Sequence, residues 1–205
     1  MKTQVFLFTF LISLLSSISL IAQDTDVLMD ERDNNIYLIK KFGDQWWMCQ
    51  NLKFDAGQGA YCYDDDETNC MLKGRLYSYE AALKACPQGY QLPGDDDWKA
   101  LEKMLGMEDK DLDLKYNRNS GKLGKLLKAG GASGFDAEFS GVKNPKGADM
   151  YFDSQAYFWT GTQWDESNAW SRVLYEQKEG VDRKVIPKNY GLSVRCIKKT
   201  TGDTE

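Results

Sequence analysis

Apolar and polar positions divide the chain into stretches of different texture. From Val5 to Leu15 apolar residues run almost unbroken behind Lys2, and a Ser-containing stretch then closes at Ile21-Ala22-Gln23. A positive start, a short apolar core and a small residue at the cut is the layout of a secretory signal peptide. Residues 1–22 are read as that peptide, cleaved after Ala22. The competing reading is a retained anchor, but the core is short and Ser-interrupted for a span, which takes about 20 predominantly apolar residues. No other run approaches that length, so no stable membrane span is expected after cleavage. The product is expected to be exported to the periplasm, the outer cell surface or the extracellular space.

Residues 23–31 are polar, acidic and short of large apolar side chains, and they read as a linker or an arriving arm. The β-branched and aromatic run Ile36–Lys40, turn residues at Phe42-Gly43-Asp44, and Gln45–Leu52 predict a β-hairpin. Residues 53–70 are Gly- and Asp-rich and predict a loop. Leu76–Cys86 predicts a helix, with Tyr79, Ala82, Leu83 and Cys86 on one face and Pro87 and Gly89 ending it. A second helix opens at Asp95-Asp96-Asp97, where acids favour the free N–H groups and the macrodipole, and carries Trp98, Leu101, Met104 and Leu105 as its stripe. A shorter helix is expected over 122–128, with Leu123, Leu126 and Leu127 on one face. Beyond Gly134 short aromatic strands alternate with turn-rich spacers: 157–160, 169–174 and 191–197. Helices in the middle and antiparallel strands at both ends predict an α+β domain over 32–198, two to three helices packed on antiparallel sheets. A polar tail, 199–205, follows.

Composition narrows the chemistry. The chain has 205 residues, 42% apolar and 13% aromatic, enough for one sizeable core and unlike a disordered chain. A net charge of −5 supplies no basic stripe for nucleic acid. There is no histidine, which removes Ser-His-Asp and Cys-His nucleophile systems and His-ligated zinc.

Five cysteines leave at least one thiol unpaired, and the connectivity stays open from sequence alone. Spacing favours Cys62–Cys70 around an acidic loop, and Cys86–Cys196 between a predicted helix and a predicted last strand. On the chain-entropy model the long tie is worth roughly 4–5 kcal/mol and the short one roughly 2–3. Cys49, after Trp46-Trp47-Met48, is then the odd one, a buried inert thiol.

Several phrases taken in order are similar to one bacterial family. They are Gln45-Trp46-Trp47-Met48 with Asn51-Leu52, Gly74-Arg75-Leu76-Tyr77, Ala81-Ala82 with Cys86-Pro87, Gly89-Tyr90-Gln91-Leu92-Pro93 with Trp98, Phe158-Trp159, and Ser193-Val194-Arg195-Cys196. Together they resemble the Fibrobacter succinogenes major paralogous domain family, from about Arg32 to about Lys198. That family is in turn similar to the C-type lectin-like fold and to the formylglycine-generating enzyme group that uses it. The resemblance implies pairing of the domain's two ends as strands and a helix cysteine bonded to a late-strand cysteine, in agreement with Cys86–Cys196. It implies an exported bacterial protein. Cys49 departs from the pattern, which more often has a small residue after the Met.

Candidate chemistry is sparse. The oxidase reading that the resemblance invites needs a pair of reactive thiols late in the domain, and only Cys196 lies there. No spacing singles out two of the 31 acids as a catalytic pair. We therefore expect no enzyme and no cofactor. Asp64 and Asp66 are weak calcium candidates, their cluster lacking a calcium-loop grammar; no metal site is assigned. In the fold implied, loops after the second helix meet ligands. Trp164 and Asp165, in an expected loop, with Tyr151 and Arg183, are the candidate ligand-binding residues, while Phe158, Trp159 and Trp170 are expected in the core. The expected function is binding of a protein or glycan partner, with an assembly subunit as the alternative.

Overall fold

The computed structural model describes residues 24–116 and 118–199; the predicted signal peptide and residues 200–205 of the predicted tail lie outside them. In chain order the elements are β1 (Thr25–Met29), β2 (Ile36–Phe42), β3 (Gln45–Met48), β4 (Ala60–Tyr61), α1 (Glu67–Lys73), β5 (Leu76–Tyr77), α2 (Tyr79–Ala85), α3 (Asp95–Met104), α4 (Asp109–Leu112) and α5 (Leu123–Leu127). They continue with β6 (Ser140–Lys143), β7 (Asp149–Phe152), β8 (Gln155–Gln163), β9 (Asn168–Tyr175), β10 (Val181–Pro187), β11 (Leu192–Ser193) and β12 (Ile197–Lys199). The architecture is α+β, as predicted. Among the described residues no helix is long and apolar enough to cross a membrane.

Two sheets organise it. The first runs β1-β2-β3-β12, all antiparallel, with Ile197 opposite Trp47, so the last described strand closes onto the predicted hairpin. The second runs β10-β9-β8-β11-β5-β4, with β6 parallel to β8 and carrying β7 on its other side. The segment read as a linker is corrected: its core, Thr25–Met29, is strand β1, placing Val27 opposite Leu38 and Met29 opposite Ile36. The acids around it masked a five-residue alternation. Asp26, on this edge strand, accepts the Val27 N–H at 2.8 Å, which occupies a donor that a foreign strand would otherwise use.

Helix boundaries moved for a physical reason. Leu76–Tyr77 are taken by β5, which pairs with β4 and β11, so α2 starts only at Tyr79. Its buried face is Tyr79, Ala82 and Ala85, whereas Leu83 points outward. In α3, Trp98 and Leu101 are buried and Met104 is exposed. The expected loop 53–70 contains the start of α1, capped by Asp66, whose side chain accepts the Thr68 N–H at 2.8 Å.

The β8–β9 ladder separates two cores because alternate strand residues face opposite ways. Tyr157, Trp159, Ala169 and Val173 join α2 and β2 in one core. Ala156, Phe158 and Leu174 join α3, α5 and Trp47 in the other. In the second core Trp47 meets Trp98 edge-on at 4.8 Å, Trp98 meets Phe135 at 5.7 Å, and Phe135 meets Phe158 at 6.1 Å. Each such pair is worth about 0.5–1.5 kcal/mol beyond its burial. Both expected disulfides form: Cys86–Cys196 with Cα atoms 5.7 Å apart, and Cys62–Cys70 with 5.2 Å. Cys49 is free and buried, and burial pushes its thiol pKa up, as befits an inert thiol.

Arg195, inside the Val-Arg-Cys phrase, is wholly buried. Its guanidinium donates to Asn51 Oδ1 at 3.0 Å, to the Asp136 carbonyl at 2.7 Å and to the Phe135 carbonyl, and it lies over the Phe135 ring. It ties the 129–138 connection to the end of β3. Burial lowers its pKa to about 10.

Candidate functional site

The candidate ligand-binding residues distribute over both faces of the β8–β9–β10 sheet, so each face is described in turn. On the α3 face, Trp170, Arg172 and Leu174 of β9 point inward, opposite Val185, Arg183 and Val181 of β10. Here a buried ion network fills the space between sheet and helix. Arg172 Nε lies 2.6 Å from Glu102 Oε1 and its Nη1 lies 2.7 Å from Asp95 Oδ1. Arg118 clamps the same Glu102 with 3.0 and 2.6 Å bonds, and Arg183 clamps Asp95 with Nη2 at 2.7 Å. Burial alone would raise the Asp95 pKa; the bonds and charges of Arg183 and Arg172 outweigh it and hold the carboxyl below the ordinary carboxylate range.

Two expectations change at this point. Asp95 was read with Asp96 and Asp97 as helix capping. Asp97 does cap, accepting the Gly94 N–H at 2.8 Å, but Asp95 anchors two arginines. Arg183 was expected as a ligand-binding cation. It is buried, committed to Asp95, and stacked 3.4 Å over the Trp170 ring. Moving it toward a ligand would break its two-oxygen pairing with Asp95 and its stack on Trp170, so it is removed from the ligand-binding set.

Trp164 is 52% exposed at the tip of the β8–β9 hairpin. Its ring sits edge-on to Trp170 at 4.8 Å, and Lys115 Nζ lies 4.5 Å from it. Asp165 shapes the tip itself, accepting the N–H groups of Ser167 and Asn168 at 2.8 Å each. Trp170 is buried, as expected.

The opposite face carries Tyr157 and Tyr175, with Ile186 of β10 and the β6–β7 hairpin beside them. Val142, Met150, Tyr151, Tyr157, Ile186, Pro187 and Tyr190 line a groove of about 190 Å³. Tyr151 is 46% exposed and its ring lies near-parallel to Tyr157, 23° between planes and 6.2 Å between centroids. It has a φ of +67°, a region that costs a bulky residue backbone strain. Gly141 permits this close packing: at φ +68°, a Cβ there would fall 2.4 Å from the Met150 carbonyl. Tyr157 donates its hydroxyl to Gln155 Oε1 at 2.8 Å, and burial pushes its pKa up to about 12. Tyr175 donates to Asp182 Oδ2 at 2.7 Å. These phenols stay neutral hydrogen-bonding groups across the physiological range. Thus Tyr151 stands apart from Trp164 and Asp165, which lie at the hairpin tip by Trp170 on the other face.

The acidic loop holds an internal cation. Lys143 Nζ is 3.1 Å from Asp65 Oδ1 and 2.9 Å from Asp149 Oδ2, and Asp149 also accepts the Asp64 N–H. Desolvation would lower the Lys143 pKa, but these two carboxylates raise it. Of the calcium candidates Asp64 and Asp66, Asp66 caps α1 through one carboxylate oxygen. A third surface escaped the sequence reading. Val27, Met29, Ile36 and Leu38, paired across β1 and β2, expose an apolar row on one face of the ribbon, each at least 39% accessible.

Fold and site thus define a disulfide-stapled α+β domain with a closed ionic face and an open tyrosine face. A model of the Fibrobacter succinogenes major domain matches residues 41–198, and the chain belongs to that family. No curated protein and no solved structure matches it. The expected start near Arg32 precedes the matched span, and the first sheet begins earlier still, at Thr25.

Proposed function

We propose that the protein is an exported, non-enzymatic binding module, and that its ligand is a glycan held on the tyrosine face. The observation that carries this reading is Tyr151, kept half-exposed at a strained φ and stacked on Tyr157 at the rim of a groove with an apolar floor. Flat aromatic faces bind the C–H faces of sugar rings, and phenol hydroxyls bind sugar hydroxyls. We read the fold as C-type lectin-like. The pairing of β3 with β12 and the Cys86–Cys196 bridge support that reading. The predicted signal peptide supports export.

A second reading is favoured by one specific observation. The apolar row Val27, Met29, Ile36 and Leu38 suits a protein-facing assembly surface. The two readings use different surfaces, so one experiment separates them. The chain lacking 1–22 is applied to glycan and protein arrays with the variants Tyr151→Ala and Leu38→Glu. Glycan hits lost with Tyr151→Ala support the first reading. Protein hits lost with Leu38→Glu, with no glycan hits, support the second.

A further inference from the structure

We propose that Cys62, Glu67 and Cys70 are a binding site for a soft divalent cation of the zinc class, closed by the Cys62–Cys70 disulfide and opened by its reduction. One ligand atom from each of the three residues lies within 4.8 Å of the others. Glu67 and Cys70 are three apart on α1, so they project from one side of the helix onto Cys62. A resident cation already marks the place. Arg75 Nη1 is 3.2 Å from Cys62 Sγ, and its Nη2 holds both Glu67 oxygens, at 3.1 and 2.9 Å. Asp55 Oδ2 lies 3.4 Å from the same Nη2 and receives the guanidinium when a metal takes Glu67.

The same arginine makes this bridge the reducible one. A guanidinium beside Cys62 stabilises its thiolate and makes it the better leaving group. Cys70, though buried, lines a pocket of about 390 Å³ on the side from which a reductant approaches. Burial does not separate the bridges, since Cys62 and Cys70 are both buried and Cys86 is partly buried beside a wholly buried Cys196; the guanidinium beside Cys62 does. In the reaction a dithiol's thiolate attacks Cys70 Sγ, breaking the S–S bond, and Cys62 leaves as thiolate. The second thiol then releases Cys70. The dithiol gives two electrons and leaves as its own disulfide, and its two protons pass to solvent as both thiolates bind the metal. The sulfurs need only separate to about 3.8 Å, given a Zn–S distance of about 2.3 Å. Their Cα atoms, 5.2 Å apart, allow this without moving the chain far.

The test is cobalt(II) titration, followed by thiolate-to-metal charge-transfer absorption, on chain treated with a mild dithiol and freed of it without air. Zinc competition against a chromophoric chelator gives stoichiometry, and mass mapping reports which bridge opened. The expected result is one equivalent bound by reduced chain and none by oxidised chain, with Cys86–Cys196 intact. Cys62→Ser and Cys70→Ser abolish the signal, Glu67→Gln weakens binding about tenfold or more, and Cys49→Ser leaves it unchanged. Equal binding by oxidised and reduced chain, loss of signal in Cys49→Ser, or simultaneous opening of both bridges overturns the proposal.

Discussion

The two faces of the β8–β9–β10 sheet are made by alternate residues of the same strands, yet they reach opposite states. On the α3 side, Arg172 and Arg183 enter a buried space where two carboxylates serve three arginines: Glu102 is shared by Arg118 and Arg172, Asp95 by Arg172 and Arg183. On the other side, Tyr151, Tyr157 and Tyr190 line an open groove, and Tyr151, stacked on the buried Tyr157, stays half-exposed. The closed face fixes the sheet against α3, and the open face keeps unspent contact surface. The most charged cluster of the domain is therefore scaffold. A buried ionic network marks function only when a group in it is left free for a ligand, and here each carboxylate is clamped by two arginines.

The comparison breaks most visibly at Glu102. Glu102→Ala leaves Arg118 and Arg172 buried without their shared carboxylate and should cost about 3–5 kcal/mol in urea unfolding. It should leave binding by the surviving folded fraction intact. A cost below about 1 kcal/mol would mean water already reaches the network.

Acid sharpens the same contrast. Asp95 has a folded pKa below its unfolded value, so the unfolded chain binds the proton first, and stability is lost as pH falls. The loss should begin near the unfolded value of about 3.9 and deepen below it. Asp95→Asn, less stable at neutral pH, should show a shallower acid slope. Parallel slopes in thermal melts from pH 6 to pH 2 would remove Asp95 as the cause.

Trp164→Ala gives up an exposed ring, an edge contact with Trp170 and the Lys115 cation, a loss of about 1 kcal/mol. Array binding should not change. A collapse of the melting temperature would place that ring in the core instead. The smallest stability effect belongs to Tyr151→Gly. It relieves the φ of +67° and should alter unfolding free energy by less than about 1 kcal/mol, in either direction, while removing glycan binding.

Much of this was legible in the residues. The 3.6 spacing of Trp98 and Leu101 found the buried stripe of α3, and Cys86 and Cys196 announced the long bridge. The ion network was not read, although its signals were present. Asp95 and Glu102 share the helix face of Trp98, and Arg172 interrupts the apolar run Ala169–Leu174 at an inward register. The acidic triplet explained itself too easily as capping. Strand β1 was missed because Asp24, Asp26 and Asp30 gave the segment a loop's composition. The tyrosine groove was out of reach beyond Tyr151, because β7, β8, β10 and the turn at Tyr190 are brought together by long-range pairings: β6 with β7 and β8, β9 with β8 and β10, and Lys143 with Gly191.

The central claim is that ligand meets the tyrosine face, and amide chemical-shift mapping tests it most directly. The strongest glycan hit from the arrays is titrated into labelled chain. Shifts clustered at 150–157 and 186–190 are predicted, with 164–170 silent. Shifts at the Trp164 tip or along 27–38, with the groove unmoved, would contradict the account.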